Sequence, residues 1–476
     1  MSESLAAAGL SSPAARPVRL RRVRLRDLTA GERRALVRRT AGTGQEVRDA
    51  ARAIVQAVRS GGDGALLELG ARHGGVWTEG IEPGSAPGTP PPIRVPVERL
   101  RAAAGALAPE LREGLLLMAG HIEAFHRVQV PPQEQWVDVA PGIRVGRVWR
   151  PLDRVGIYVP GGEAAYPSSL LMGVIPARLA GAGAIAVASP AGHGGRLSPV
   201  LLGAAGLLGV EEFYAMGGAQ AIAALAHGTE SVAAVGAIVG PGNAWVTAAK
   251  LEVLGDVAID MPAGPSEVMV IADGSADPAH VAADLLSQAE HGADSAAVLV
   301  AVNEVIADAV QAEIERQLPL QPRVAYLAAS LGSAGLIVVA DRLDDAVAFV
   351  NEYAPEHLSV SLDGAVELLP RIRHAGSVFL GAYAPESAGD YATGSNHVLP
   401  TGRLARAYGP LSVEAFGHWM QAQIVDRDGL ASIAAAVAAV AEAEGLFAHR
   451  RAVEIRFEGR AVGAPRLRAP TPSAPR

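Results

Sequence analysis

Cysteine is absent from the 476 residues, and lysine occurs once, at Lys250. The lack of thiols excludes disulfides, zinc–thiolate sites, iron–sulfur clusters and every cysteine nucleophile. A single lysine leaves one candidate for Schiff-base chemistry. Positive charge is also in deficit: 41 basic residues against 49 acidic ones give a net charge of −8. The body of the chain therefore has no electrostatic case for binding nucleic acid. Ten arginines and only three acids fall in the first forty positions, so the remainder is more acidic still. Long clean apolar runs are missing too. The longest uncharged stretch, Ser231 to Ala249, is interrupted by Gly240-Pro-Gly-Asn243 and does not read as a membrane span. Residues 1–15 lack the basic and apolar regions of a secretory signal. The expectation is a soluble, cytoplasmic protein with no membrane partner.

What is present is apolar bulk. Hydrophobic residues make up 50% of the chain, enough to fill one large or two to three ordinary domains and too many for a disordered chain. Val18, Leu20, Val23 and Leu25 nearly alternate with arginine, which predicts a terminal β-strand rather than a transit peptide. Val47, Ala50, Ala51, Ile54 and Val58 have helical spacing, and Gly61-Gly62 closes that segment. Residues 79–96 hold six prolines and predict an irregular loop, followed by helix from Val97 to about Arg127.

Beyond Val155 short apolar runs alternate with helix-length Ala/Leu segments. Strands are predicted at 155–159, 185–188, 213–215, 233–239, 268–271, 297–302, 336–339, 358–360 and 378–380. Such alternation predicts parallel sheets built from βαβ units, and the break at Met261-Pro-Ala-Gly-Pro265 predicts two of them. Residues 414–447 read mostly as Ala-rich helix, 453–457 as a last strand and 466–476 as a Pro-rich tail.

Standard nucleotide signatures are missing. Gly181-Ala-Gly183 follows a helix and precedes a strand, the reverse of a dinucleotide fingerprint. Gly240-Pro-Gly-Asn243 is better placed, after a predicted strand and opening the helix of Trp245 and Lys250, where backbone N–H groups favour anions. Gly161-Gly162 and Gly217-Gly218 also sit beside strand ends, and three such turns make a crevice at a sheet's carboxyl edge. Gln288 and His291 are three apart on a predicted helix, a pattern that is ordinarily a solvated face. Glu356-His357 follows a proline at a strand start. Asp390 and His397 lie in a loop rich in Gly, Ser and Thr, and His449 ends an Ala-rich helix. Gln, His, Asp and His together offer ligands suited to Zn²⁺ or a similar divalent ion, and Glu356-His357 offers a proton-transfer pair.

The ordered motifs resemble those of histidinol dehydrogenases over residues 45–455. They run Gly156-Ile-Tyr-Val-Pro-Gly-Gly162, Met216-Gly-Gly-Ala-Gln-Ala-Ile222, Gly240-Pro-Gly-Asn243 and Ile259-Asp-Met-Pro-Ala-Gly-Pro-Ser-Glu-Val268. Then come Asp284-Leu-Leu-Ser-Gln-Ala-Glu-His291, Tyr353-Ala-Pro-Glu-His357, Pro385-Glu-Ser-Ala-Gly-Asp390 and Asn396-His-Val-Leu-Pro-Thr401.

The resemblance implies an α/β fold of two Rossmann-like parallel-sheet domains, aldehyde-dehydrogenase-like but without the catalytic cysteine. It implies one Zn²⁺ per subunit on Gln288, His291, Asp390 and His449, with Glu356 and His357 as the acid/base pair. Substrate contacts would fall on Ser266, His397 and Glu444 and on the metal ligands and His357, and NAD contacts on Tyr158, Gln220 and Asn243. The implied reaction is the two-step, NAD-dependent oxidation of L-histidinol to L-histidine in a homodimer with shared sites. A dehydrogenase of another polar diol and a non-catalytic binding homologue are the rival readings. On this reading 1–44 is an Arg-rich extension, and 45–157 with 263–410 form one discontinuous α/β domain carrying the catalytic and most metal residues. Residues 158–262 form the NAD-binding domain, 411–465 a helical dimerisation segment and 466–476 a disordered tail.

Overall fold

The structure, a computed structural model, describes residues 18–39, 44–81, 86, 89–161, 165–192 and 194–458. The Pro-rich tail, residues 1–17, Gly162 and parts of the 79–96 loop lie outside the described residues. The described residues divide into two compact units, one of residues 132–150 and 419–458, the other of the remaining described residues.

The larger unit holds two six-stranded sheets, as the alternation of strands and helices predicts. With strands numbered along the chain, the first runs β1 (Arg21–Arg24), β12 (Leu336–Val339), β11 (Ala296–Ala301), β10 (Glu267–Ala272), β13 (His357–Ser361), β14 (Ser377–Leu380), all parallel. Its central strands are apolar on both faces because helices cover both. Val268 and Val270 face one core cluster and Met269 and Ile271 the other. Helix Pro278–Ala289 begins where Asp277 caps Ala279 N and proline occupies the first turn.

The second sheet runs β2 (Arg94–Val95), β7 (Glu212–Ala215), β6 (Ala184–Ser189), β5 (Arg154–Tyr158), β8 (Ala237–Val239), β9 (Ala258–Ile259), parallel except for β2. The chain steps from β5 to β6 and β7 on one side, then returns to β8 and β9 on the other. The crevice between the carboxyl ends of β5 and β8 is thus a topological switch point.

The sheets do not follow the division expected from sequence. Residues 94–95 and 154–158 pair within the second sheet, and Val55, Val58, Leu66 and Leu69 of helix Gln45–His73 pack into its core. The strand predicted near Val18–Leu25 is β1, an edge of the first sheet, so the Arg-rich segment is an integral part rather than an appendage. Its arginines find acids on neighbouring elements, as Arg22 does with Asp308 at 2.7 Å.

In the smaller unit β15 (Gly417–Val425), β4 (Ile143–Pro151) and β3 (Glu134–Ala140) form a three-stranded sheet. Trp149 and Trp419 meet edge to face at 5.6 Å. Helices Arg427–Ala443 and Phe447–Glu454 follow. Two expectations fail here: 417–425 is strand rather than helix, and 453–457 is helical rather than strand. Val137 and Val139 are 63% and 61% exposed and Phe447 63%, an apolar surface left to solvent.

Candidate active site

The first sheet presents its chemistry at the amino ends of its strands. Ala354 adopts φ 52°, ψ 67° at the end of helix Leu343–Tyr353, a left-handed conformation uncommon for a residue with Cβ. Pro355 disfavours continuing the helix, and the strained turn delivers Glu356 and His357 to the start of β13. Both are buried. Ser266 Oγ and the Glu267 N–H each donate to Glu356 Oε2 at 2.8 Å. His357 Nδ1 donates to the Glu267 carbonyl at 3.3 Å, which fixes the tautomer and leaves Nε2 as the basic nitrogen. Burial pushes the His357 imidazole down to about 3, so it is neutral at physiological pH. Burial, aided by the Glu267 charge, raises Glu356 well above the usual carboxylate range.

Asp390 stands between two imidazoles. Its Oδ1 lies 3.7 Å from His357 Nε2 and its Oδ2 3.7 Å from His291 Nε2. His397 donates from Nδ1 to the Asp390 carbonyl at 3.0 Å and meets Ser169 Oγ through Nε2 at 3.2 Å. Next to it, Asn396 bonds to the Met172 carbonyl and to His126, which anchors this loop to two helices. The helix expected to carry both Gln288 and His291 ends at Ala289. His291 follows the cap, and its N–H bonds to the Gln288 carbonyl at 3.1 Å. Ser266, Glu356, His357, Asp390, His291 and His397 are thereby linked in one site, with Gln288 adjoining.

Glu386 is a residue that the sequence reading passed over. It is 1% exposed, four residues before Asp390 on helix Glu386–Tyr391, and its Oε1 lies 3.5 Å from His357 Nδ1. Oxygen atoms of Glu386 and Asp390 and a nitrogen of His291 fall within 4.8 Å of one another. The signal was available, since an i, i+4 pair of acids on a short helix shares one face. Burial, then the charges of Asp390, Glu356 and Asp284, raise Glu386 well above the usual range.

The unsatisfied atoms test whether a cation suits this place. Among the described residues, both amide atoms of Gln288, both oxygens of Glu386 and His357 Nε2 are buried without a hydrogen-bond partner. Buried polar atoms are rarely left so, and a cluster of them around three carboxylates asks for positive charge. The donor set is all oxygen and nitrogen, which suits Zn²⁺ and its neighbours.

Tyr158, Gln220 and Asn243 lie at the other sheet's carboxyl edge. Tyr158 ends β5, buried, and its hydroxyl accepts the Gly218 N–H at 3.1 Å. Gln220 is buried in helix Gly218–His227, and Asn243, exposed, caps helix Ala244–Glu252 by accepting from Trp245 N and Val246 N. Glu444 caps the end of helix Arg427–Ala443 and His449 lies in helix Phe447–Glu454 of the smaller unit, both exposed.

The family model of histidinol dehydrogenase matches residues 37–457. The histidinol dehydrogenase of Haloarcula marismortui is 47% identical over 433 residues, covering 91% of this chain and 98% of that protein. That of Moorella thermoacetica is 50% identical over 367 residues, covering 77% and 86%. The crystal structure of histidinol dehydrogenase from Elizabethkingia anophelis superposes with a TM-score of 0.85 at 36% identity, covering 92% of this chain and 98% of that one. On sequence and on structure alike, the chain belongs to the histidinol dehydrogenase family.

Proposed function

We propose that the protein oxidises L-histidinol to L-histidine through bound L-histidinaldehyde, in two NAD⁺-dependent steps, as a cytoplasmic homodimer with one Zn²⁺ per subunit. The observation that carries the reading is the buried Glu356–His357 pair, with His357 Nε2 facing Asp390 and without a hydrogen-bond partner among the described residues. A binding protein gains nothing from keeping such a pair under cover.

Gln288, His291 and Asp390, with His449, are the residues that would hold the ion. Zinc, when bound, supplies a Lewis acid and a fixed charge by which the substrate's imidazole and amine are oriented. NAD⁺, held by Tyr158, Gln220 and Asn243, supplies the hydride acceptor. Orientation of this kind is worth up to about 7–11 kcal/mol. Ser266 and His397 line the substrate's place, and the Glu444 carboxylate suits its cationic amine.

As hydride leaves the carbinol carbon, His357 Nε2 takes the hydroxyl proton. The aldehyde carbon then accepts water, whose proton passes to Glu356 while His357 returns its proton to the carbonyl oxygen. The resulting hydrate loses a second hydride and a second proton, giving the acid. In other aldehyde oxidations a cysteine forms a thiohemiacetal, but a chain without cysteine leaves water as the nucleophile.

Glu444 and His449 stand on the smaller unit's exposed helices, beside apolar residues that solvate poorly. A second subunit covers that surface and receives those two side chains in its own site. Mixing His449→Asn with Glu356→Gln subunits tests the sharing: hybrid dimers regain activity that neither parent has, and no recovery contradicts it. NAD⁺ reduction with L-histidinol, abolished by chelation and restored by Zn²⁺, tests the reading as a whole. Reduction that survives complete metal removal overturns it.

A further inference from the structure

The chain uses arginine at every cationic position but one. Of 41 basic residues only Lys250 is lysine, and it is 2% exposed. Lys250 lies in the last turn of helix Ala244–Glu252, and its ammonium donates to the Gly240 carbonyl at 3.0 Å and to Asp260 Oδ1. Asp260 Oδ2 in turn accepts the Gly240 N–H at 2.8 Å, and Oδ1 accepts the Met261 N–H at 2.7 Å. Both polar groups of Gly240 are therefore held by one buried ion pair.

Gly240 opens the Gly240–Asn243 turn. Its φ of +118° belongs to glycine, and a Cβ there would meet the Tyr158 carbonyl at 2.0 Å. The turn is thus pressed against the end of β5 and fixed from below by Lys250 and Asp260. One turn of chain later, Thr247 Oγ1 donates to the Ala263 carbonyl at 2.7 Å. Asp260 also opens the segment that ends in Ser266, the residue bonded to Glu356.

A buried ion pair is weak evidence for stability, since desolvation offsets most of the attraction. It does impose geometry. The site demands a compact cation with donors that diverge to a carbonyl and a carboxylate, and arginine's broad planar fork does not replace it. We propose that Lys250, through Asp260, is a positioning residue that holds the Gly240–Asn243 turn in the conformation that binds the dinucleotide. The inference rests on the assignment of NAD⁺ to this turn, and the test separates the two.

In the native enzyme Lys250 is the sole ε-amine, so its acetylation by an amine-selective reagent reports opening of the turn. If NAD⁺ closes the turn over the pair, a concentration near 100 times its Kd slows that acetylation up to about 100-fold, because the ligand binds only the closed form. L-Histidinol alone leaves the rate within about twofold. A rate indifferent to NAD⁺ overturns the proposal, as does one slowed equally by both ligands, since that reports global unfolding. Lys250→Met/Asp260→Asn, which removes both charges, raises the Kd and KM for NAD⁺ at least tenfold while zinc content is unchanged. Affinity within twofold of wild type in the folded double variant overturns the proposal. Asn243→Ala provides the separation: loss of NAD⁺ affinity there, without loss in the double variant, defeats the positioning role alone. Affinity unchanged in Asn243→Ala as well defeats the location of the nucleotide.

Discussion

Ser266 Oγ donates a 2.8 Å hydrogen bond to Glu356 Oε2, the oxygen that also accepts the Glu267 N–H. Two donors on one oxygen hold the carboxyl in place and leave Oε1 for proton exchange. Ser266→Ala removes one of them, worth about 1–1.5 kcal/mol for an ordinary bond of this kind. The expected outcome is a fall of roughly tenfold in kcat with bound zinc unchanged, measured by steady-state NADH formation and metal analysis. An unchanged kcat means that the backbone donor suffices.

His357→Asn and Glu356→Gln divide the reaction. Loss of an ordinary general base slows its step by roughly 10²–10⁴. His357→Asn slows alcohol oxidation by that amount and recovers in part when L-histidinaldehyde is supplied. Glu356→Gln stays impaired with the aldehyde, because water activation is then the missing step. Equal losses of Glu356→Gln on both substrates, with zinc and NAD⁺ affinity intact, would show one coupled unit instead.

Metal binding has a residue-level signature. His291→Asn, Asp390→Ala and His449→Asn each lose bound zinc, by metal analysis of the purified variants. Glu386→Gln replaces a buried carboxyl beside two of these ligands and weakens zinc by about 10–100-fold in chelator competition, the usual effect of disturbing a ligand's surroundings. Retention of wild-type zinc affinity in Glu386→Gln would assign that carboxyl to the substrate rather than the metal.

Asp284 carries a pH dependence of stability. Burial pushes its carboxyl up to about 6, against an ordinary value of 3.8, and the Ser359 hydroxyl opposes this only in part. Between those values the folded protein keeps a proton that the unfolded chain has lost, so stability falls as pH rises through the window. Asp284→Asn escapes the loss. At pH about 7.5 it is more stable than wild type by about 1–3 kcal/mol, and below pH about 3.5 the difference vanishes. Thermal unfolding at the two pH values checks this.

Much of the site was legible because its residues come in ordered motifs, and most strands of both sheets are legible as apolar runs, although β2, inside the segment read as a loop, and the two-residue β9 are not. What pattern could not supply was convergence. Nothing in the spacing of Glu356 and Asp390 says that Asp390 bridges His357 and His291; that depends on how helix Glu386–Tyr391 is set against the start of β13. Glu386 stands four residues before Asp390, but that spacing means a shared face only once 386–391 is known to be helical and buried. β15 was mistaken for helix because Gly417–Val425 alternates weakly and only its pairing with β4 makes it a strand. Assignment of 45–157 to the wrong sheet has a similar cause: helix packing, not sequence proximity, decides which sheet a segment covers.

The central claim is a four-electron oxidation at one site without a cysteine, and counting NADH per L-histidinol consumed tests it most directly. Under limiting L-histidinol and excess NAD⁺, the account predicts two NADH and one L-histidine per substrate, with no free aldehyde trapped by an added hydrazine. One NADH per substrate, with L-histidinaldehyde accumulating in the trap, would contradict it.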